Sequence, residues 1–152
     1  MSKDNKLEKL KESVTNTLAG VDTQELSGVD FGDFSCKEIS LPGGLSVLDI
    51  RIDPVVIKRH PNHIVEDANH DYFLTTLLEG RATIQQADKV YIMKPGDLAL
   101  MTGGLPYTIE YEITSRRLIV RIPHAVFKQR LTNCEEKAII GHLPNKGLGR
   151  VV

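Results

Sequence analysis

Residues 71–122 read DYFLTTLLEGRATIQQADKVYIMKPGDLALMTGGLPYTIEYEITSRRLIVRI, a run of short apolar segments broken by turn chemistry. Asp71–Leu78, Ala82–Gln86, Val90–Met93, Leu98–Met101, Tyr107–Ile113 and Leu118–Ile122 have the β-branched and bulky residues of strands. Between them lie Glu79-Gly80-Arg81, Ala87-Asp88-Lys89, Lys94-Pro95-Gly96-Asp97, Thr102-Gly103-Gly104 and Thr114-Ser115-Arg116, each able to reverse a chain. A parallel α/β sheet requires a crossover helix of about a dozen residues between strands, and no interval has room for one. Strands recurring every eight to twelve residues or so predict an all-β sandwich or barrel. Closure also removes edges that would pair with other chains.

The same pattern extends upstream. Phe34–Leu41, Leu45–Arg51 and Val55–Arg59 read as strands, separated by Pro42-Gly43-Gly44 and Asp53-Pro54, and Pro61-Asn62-His63 begins a loop. Val21–Gly32 has no steady periodicity and reads as a linker. Before it, Leu7, Leu10, Val14 and Leu18 recur at spacings of three and four among Lys and Glu, which predicts an amphipathic helix ended by Gly20. Downstream, Pro123 opens a helix over His124–Leu131 with Val126, Phe127, Arg130 and Leu131 on its inner face. Asn133, with Glu136 three residues on, caps a second short helix through Ile140, and His142–Gly147 forms a loop. The chain thus divides into an N-terminal helix (1–20), a barrel (34–122) and C-terminal helices (123–152).

At 152 residues, with 41% apolar and 26% charged side chains, the chain is long enough for one soluble domain that needs neither metal nor disulfide to hold a core. Cys36 and Cys134 stand alone, without a zinc-type pair. The start Met1-Ser-Lys-Asp-Asn-Lys lacks the apolar stretch of a signal peptide, and no apolar run approaches the roughly 18 residues of a membrane span. These features point to the cytoplasm. The net charge of -1 argues against a chain that grips nucleic acid over its whole face. Residues 113–152 nevertheless carry eight basic and two acidic side chains, a balance that suits a solvated helix face or a partner surface.

The ordered set Arg59, Asp71-Tyr72-Phe73-Leu74, Gly80, Ile84-Gln85-Gln86, Met93-Lys94-Pro95-Gly96-Asp97-Leu98-Ala99-Leu100 and Leu105-Pro106-Tyr107 resembles the effector-sensing N-terminal domain of AraC-type transcriptional regulators. It is similar above all to the branch found in activators of aromatic-compound and amine catabolism. Val120-Arg121-Ile122-Pro123, Phe127 and Arg130-Leu131 resemble that branch's step from last strand to first helix, so the likeness covers nearly the whole chain. It implies a cupin-like double-stranded β-helix, or jelly-roll barrel, with an N-terminal helix and C-terminal helices. The resemblance further implies a small-molecule effector in the barrel, homodimerisation, and DNA binding only through a C-terminal helix-turn-helix module. No such module can be placed in these 152 residues, and the ending Gly147–Val152 suggests a longer regulator.

Metal-binding cupins typically carry His-x-His and Glu near one strand and a later His after the Pro-Gly-Asp strand. Here His60, His63, Glu66 and His70 have other spacings, and Tyr107, a poor ligand for a first-row divalent metal, stands where the later His belongs. We therefore expect no metal and no cofactor. The expected ligand-binding residues are Tyr72, Tyr107, Gln85 and Arg59. The first three combine bulk with a hydrogen-bonding tip, and each tyrosine can equally be an ordinary packed ring. Arg59, beside Lys58, can meet an anionic effector or pair with Asp or Glu on a neighbouring strand; the desolvation cost of a lone guanidinium favours the pair. Asp97 suits a structural role in its own turn.

No Gly-x-Ser-x-Gly or Walker pattern occurs, and Cys36 has no sequence-adjacent base. No catalytic residue is expected. The leading function is therefore a ligand-sensing, dimerising regulatory domain that relays occupancy through its C-terminal helices. A stand-alone cupin-like enzyme or metabolite-binding protein is the alternative, and a protein-interaction module with a solid core is the third reading.

Overall fold

The computed structural model describes residues 3–130 and 140–145. Two antiparallel sheets enclose one shared core. Numbered in chain order, the strands are β1 (Asp22–Gln24), β2 (Phe34–Ser40), β3 (Ser46–Ile52), β4 (Val55–Arg59), β5 (Tyr72–Glu79), β6 (Ala82–Gln86), β7 (Lys89–Met93), β8 (Leu98–Thr102), β9 (Tyr107–Tyr111), β10 (Ser115–Ile122) and β11 (Gly141–Leu143). One sheet has the order β1-β4-β9-β6-β7 and the other β11-β8-β5-β10-β3-β2. The helices are α1 (Lys3–Thr17), α2 (Pro61–Asp67) and α3 (His124–Arg130).

Strand alternation builds the interior. In β3, Ser46, Leu48, Ile50 and Ile52 are buried while Val47, Asp49 and Arg51 turn away. β9 likewise points Tyr107, Ile109 and Tyr111 inward. β5 buries Phe73, Thr75 and Leu77 and exposes Leu74 and Leu78, so the core lies on the Phe73 side of that strand. Helix α1 buries Leu10 and Val14 against this core, and Leu7 and Leu18 flank them.

The structure corrects four local expectations. Pro61-Asn62-His63 begins helix α2, not a loop, and its end is closed by Ala68 in the left-handed conformation (φ 49°). The linker contains β1, which pairs with β4. His142 and Leu143 belong to β11, which extends β8, where a loop was expected. Finally, Ser115 and Arg116 are strand, not turn, because β10 pairs with β3 from Ser115 onward. The reversal from β9 to β10 lies at 112–114, and the β5–β6 turn packed beside it requires Gly80 (φ 96°), where an added Cβ would lie 2.7 Å from the Ser115 Cα. The second C-terminal helix expected from Asn133 falls outside the described residues except for Ile140.

Candidate functional site

Two guanidinium groups lie inside this fold, and their partners differ. Arg59, 1% exposed, donates through Nε to the Gly103 carbonyl (2.8 Å) and through Nη1 to the Gly20 carbonyl and Asp67 Oδ2 (both 2.8 Å). Its Nη2 donates to Asp67 Oδ1 (2.7 Å) and the Asn69 carbonyl (3.2 Å). All five N–H donors of a guanidinium are thereby used. The hydrogen-bonded Arg59 holds the Asp67 carboxyl well below the usual carboxylate range despite its partial burial, helped by the Asn69 and Gly20 amides. The acidic partner stands on α2 rather than on a neighbouring strand. Together they tie α2 to the end of α1 and to the β8–β9 turn.

Arg117, 4% exposed, has no acidic partner among the described residues. Its register neighbours, Ile50 on β3 and Leu77 on β5, are buried, which fixes its side chain on the interior face. Nε donates to Thr75 Oγ1 and Nη1 to the Tyr111 hydroxyl, both at 2.6 Å, and Nη2 meets Met101 Sδ at 3.7 Å. Sequence reading passed over this residue because it adjoined an assumed turn. The available signal was the alternation Ser115-Arg117-Ile119, which places a cation among inward positions.

Arg117 lines an interior cavity of about 30 Å³ between the sheets. Tyr107, Tyr111, Ile109 and Met101 share its walls, and Leu10 and Val14 of α1 close it. The volume suffices for a water or two. Among the described residues Arg117 is the one charged side chain on this otherwise largely apolar lining. Burial pushes the Tyr107 phenol up to about 12 against the pull of Arg59 and Arg117, so it remains a protonated donor near neutrality.

The expected site residues separate. Tyr107 lines the interior cavity and also an outer cleft of about 310 Å³, where Arg59 and the exposed Gln85 join it. Gln86, not Gln85, faces inward; its amide donates to the Thr102 (2.7 Å) and Leu105 (3.1 Å) carbonyls and accepts from the Thr102 amide. Tyr72 is buried on the opposite side of β5 from Phe73, outside the cavity lining. Its ring stacks on Phe127 at 4.1 Å and on His124 at 5.9 Å, joining α3 to the sheet. Asp97 accepts from the Lys94 amide in its own turn (2.9 Å), and also holds the Asn145 amide and His142 Nε2. Burial raises its pKa, yet these contacts together bring it below the usual value.

Among the described residues, no three His, Cys, Asp or Glu side chains gather in a metal-holding group. His60 and His63 stack on each other near Asp22, whereas His70 packs edge-on against His124. No described helix is long and apolar enough to cross a membrane.

The model of the AraC-binding-like domain matches residues 25–140. The chain belongs to that family. This AraC-binding-like domain has 14% identity and a TM-score of 0.71 to the crystal structure of the AraC-like transcriptional activator CuxR, over 81% of its own length. It spans 45% of CuxR. Two further structures share the fold at a TM-score of 0.50: a cupin domain from Schizosaccharomyces pombe (10% identity, 68% of this chain and 74% of that one) and a cupin superfamily protein from Desulfitobacterium hafniense (12%, 60% and 79%). Comparison by sequence with proteins of curated function finds no match. The family supports an AraC-type regulatory domain on a cupin-like barrel.

Proposed function

We propose that the domain senses a small organic effector inside the barrel and acts as the regulatory part of a cytoplasmic, homodimeric AraC-type regulator. DNA binding then belongs to a helix-turn-helix module outside these 152 residues, and the domain itself performs no catalysis. The carrying observation is the apolar cavity between the sheets, walled by Tyr107 and Ile109 and closed by α1. Small-molecule sites are concave and mostly apolar, with a few polar groups that fix orientation. At about 30 Å³ the cavity is smaller than any such effector, so binding requires a wall to move. Helix α1 is the wall without strand pairing. Its ties include Leu10 and Val14 packing, Thr23 donating to the Leu7 carbonyl, Arg121 donating to the Thr17 carbonyl, and the Lys11–Asp22 ion pair.

Arg121 lies on β10, and α3 follows that strand directly. A shift of α1 would therefore reach the element stacked on Tyr72, and the effector would act by binding one arrangement more tightly than the other. Filling the cavity tests the reading. Ile109→Phe should retain the circular dichroism spectrum at an overpacking cost of about 1–3 kcal/mol. It should weaken binding of benzoate, hexanoate and their primary amides, whichever the wild-type chain binds, by about tenfold or more. Unchanged affinity in the variant would place binding elsewhere.

A further inference from the structure

We infer that the barrel effector is an organic anion, a carboxylate on an apolar body, with Arg117 as its counter-ion. This inference rests on the sensor reading and narrows it to a ligand class. An arginine keeps its proton in proteins, and taking that charge out of water costs heavily unless an anion and well-placed acceptors replace the solvent. Arg59 shows how this barrel meets that requirement, with a bidentate carboxylate and three carbonyls. Among the described residues Arg117 has only a hydroxyl, a phenol and a thioether, and no Asp or Glu of theirs lines its cavity.

Those contacts leave two of its five N–H donors without a partner among the described residues. They belong to Nη1 and Nη2, the end of the fork that binds a carboxylate in bidentate fashion. The rest of the chamber suits the body of such a ligand: Ile50, Ile109, Ile119, Phe73 and Met101 are apolar. A carboxylate would convert an uncompensated charge into a paired one. A neutral ligand of equal size would leave it uncompensated, so discrimination between them follows from the core itself.

The test compares benzoate with benzamide, and hexanoate with hexanamide, by calorimetric titration of the whole chain and of Arg117→Met. Charge-assisted hydrogen bonds predict that each acid binds the wild type about tenfold to a hundredfold more tightly than its amide. The preference should vanish in Arg117→Met. That variant should also match or exceed the ligand-free Tm of the wild type, because an unpaired charge leaves the core. Equal acid and amide binding would overturn the carboxylate inference and leave the sensor reading standing. No binding by any of the four would overturn both. Should Arg117→Met fail to fold, the acid-to-amide ratio in the wild type decides alone.

Discussion

Arg59 and Asp67 stand eight residues apart in sequence and close a half-buried ion pair, with the guanidinium inside and the carboxylate at the surface, through two parallel hydrogen bonds of 2.8 and 2.7 Å. Removing the carboxylate leaves two donors of the buried Arg59 guanidinium unpaired, at a cost of about 1–3 kcal/mol because solvent reaches and screens the Asp67 side of the pair. Asp67→Asn should therefore lower the unfolding free energy by about that amount at pH 7. Because the folded carboxyl titrates below its unfolded value of 3.8, its stabilisation is fully present above that pH and declines as pH falls through the folded pKa. Chemical denaturation at pH 7, 5, 4 and 3 should show the wild-type advantage narrowing only at the acid end. A pH-independent gap would assign the loss to packing instead. Sequence reading identified Arg59 as a residue that needs an acid, but Asp67 lay in a stretch read as a loop. Tyr107, expected at the ligand for its bulk and hydrogen-bonding tip, begins a strand whose inward positions are Tyr107, Ile109 and Tyr111. The placement of Tyr72 was not legible, since β5 is apolar on both faces and only α3 packing distinguishes them.

At the scale of elements, the strands with their own alternation were legible, and the short pieces defined by neighbours were not. β1 and β11 have three residues each and exist through pairing with β4 and β8. Helix α2 buries only His63, so its sequence carries no apolar stripe for a periodicity argument to find. It is held instead by capping. The His60 amide donates to His63 Nδ1 at 2.9 Å, and Ala68 returns its amide to the Ile64 carbonyl at 2.9 Å. Left-handed geometry costs a residue with a Cβ about 1–2 kcal/mol. Ala68→Gly should consequently raise stability by about 1 kcal/mol, a rise in Tm of a few degrees measured by calorimetry. A lower Tm would mean that the Cβ of Ala68 contributes packing worth more than the strain.

For the molecule as a whole, turn spacing in residues 71–122 was sufficient to recognise a closed antiparallel fold. The chamber inside it was not legible, because its size depends on how α1 seats Leu10 and Val14 across two sheets. The same dependence makes α1 the natural moving part, since burying an effector must displace a wall that strand pairing does not fix. Arg117 is where fold meets the inferred function: its position is set by β10 pairing with β3 and β5, and among the described residues it has no acidic partner. The most direct test is a nuclear magnetic resonance titration of the isotope-labelled chain with benzoate and benzamide. The account predicts saturable shifts in the methyls of Ile109, Ile119 and Leu10, with smaller changes at Gln85 and Thr108 in the outer cleft. Shifts confined to Gln85, Thr108 and Lys58, or no saturable shift at all, would contradict binding inside the barrel.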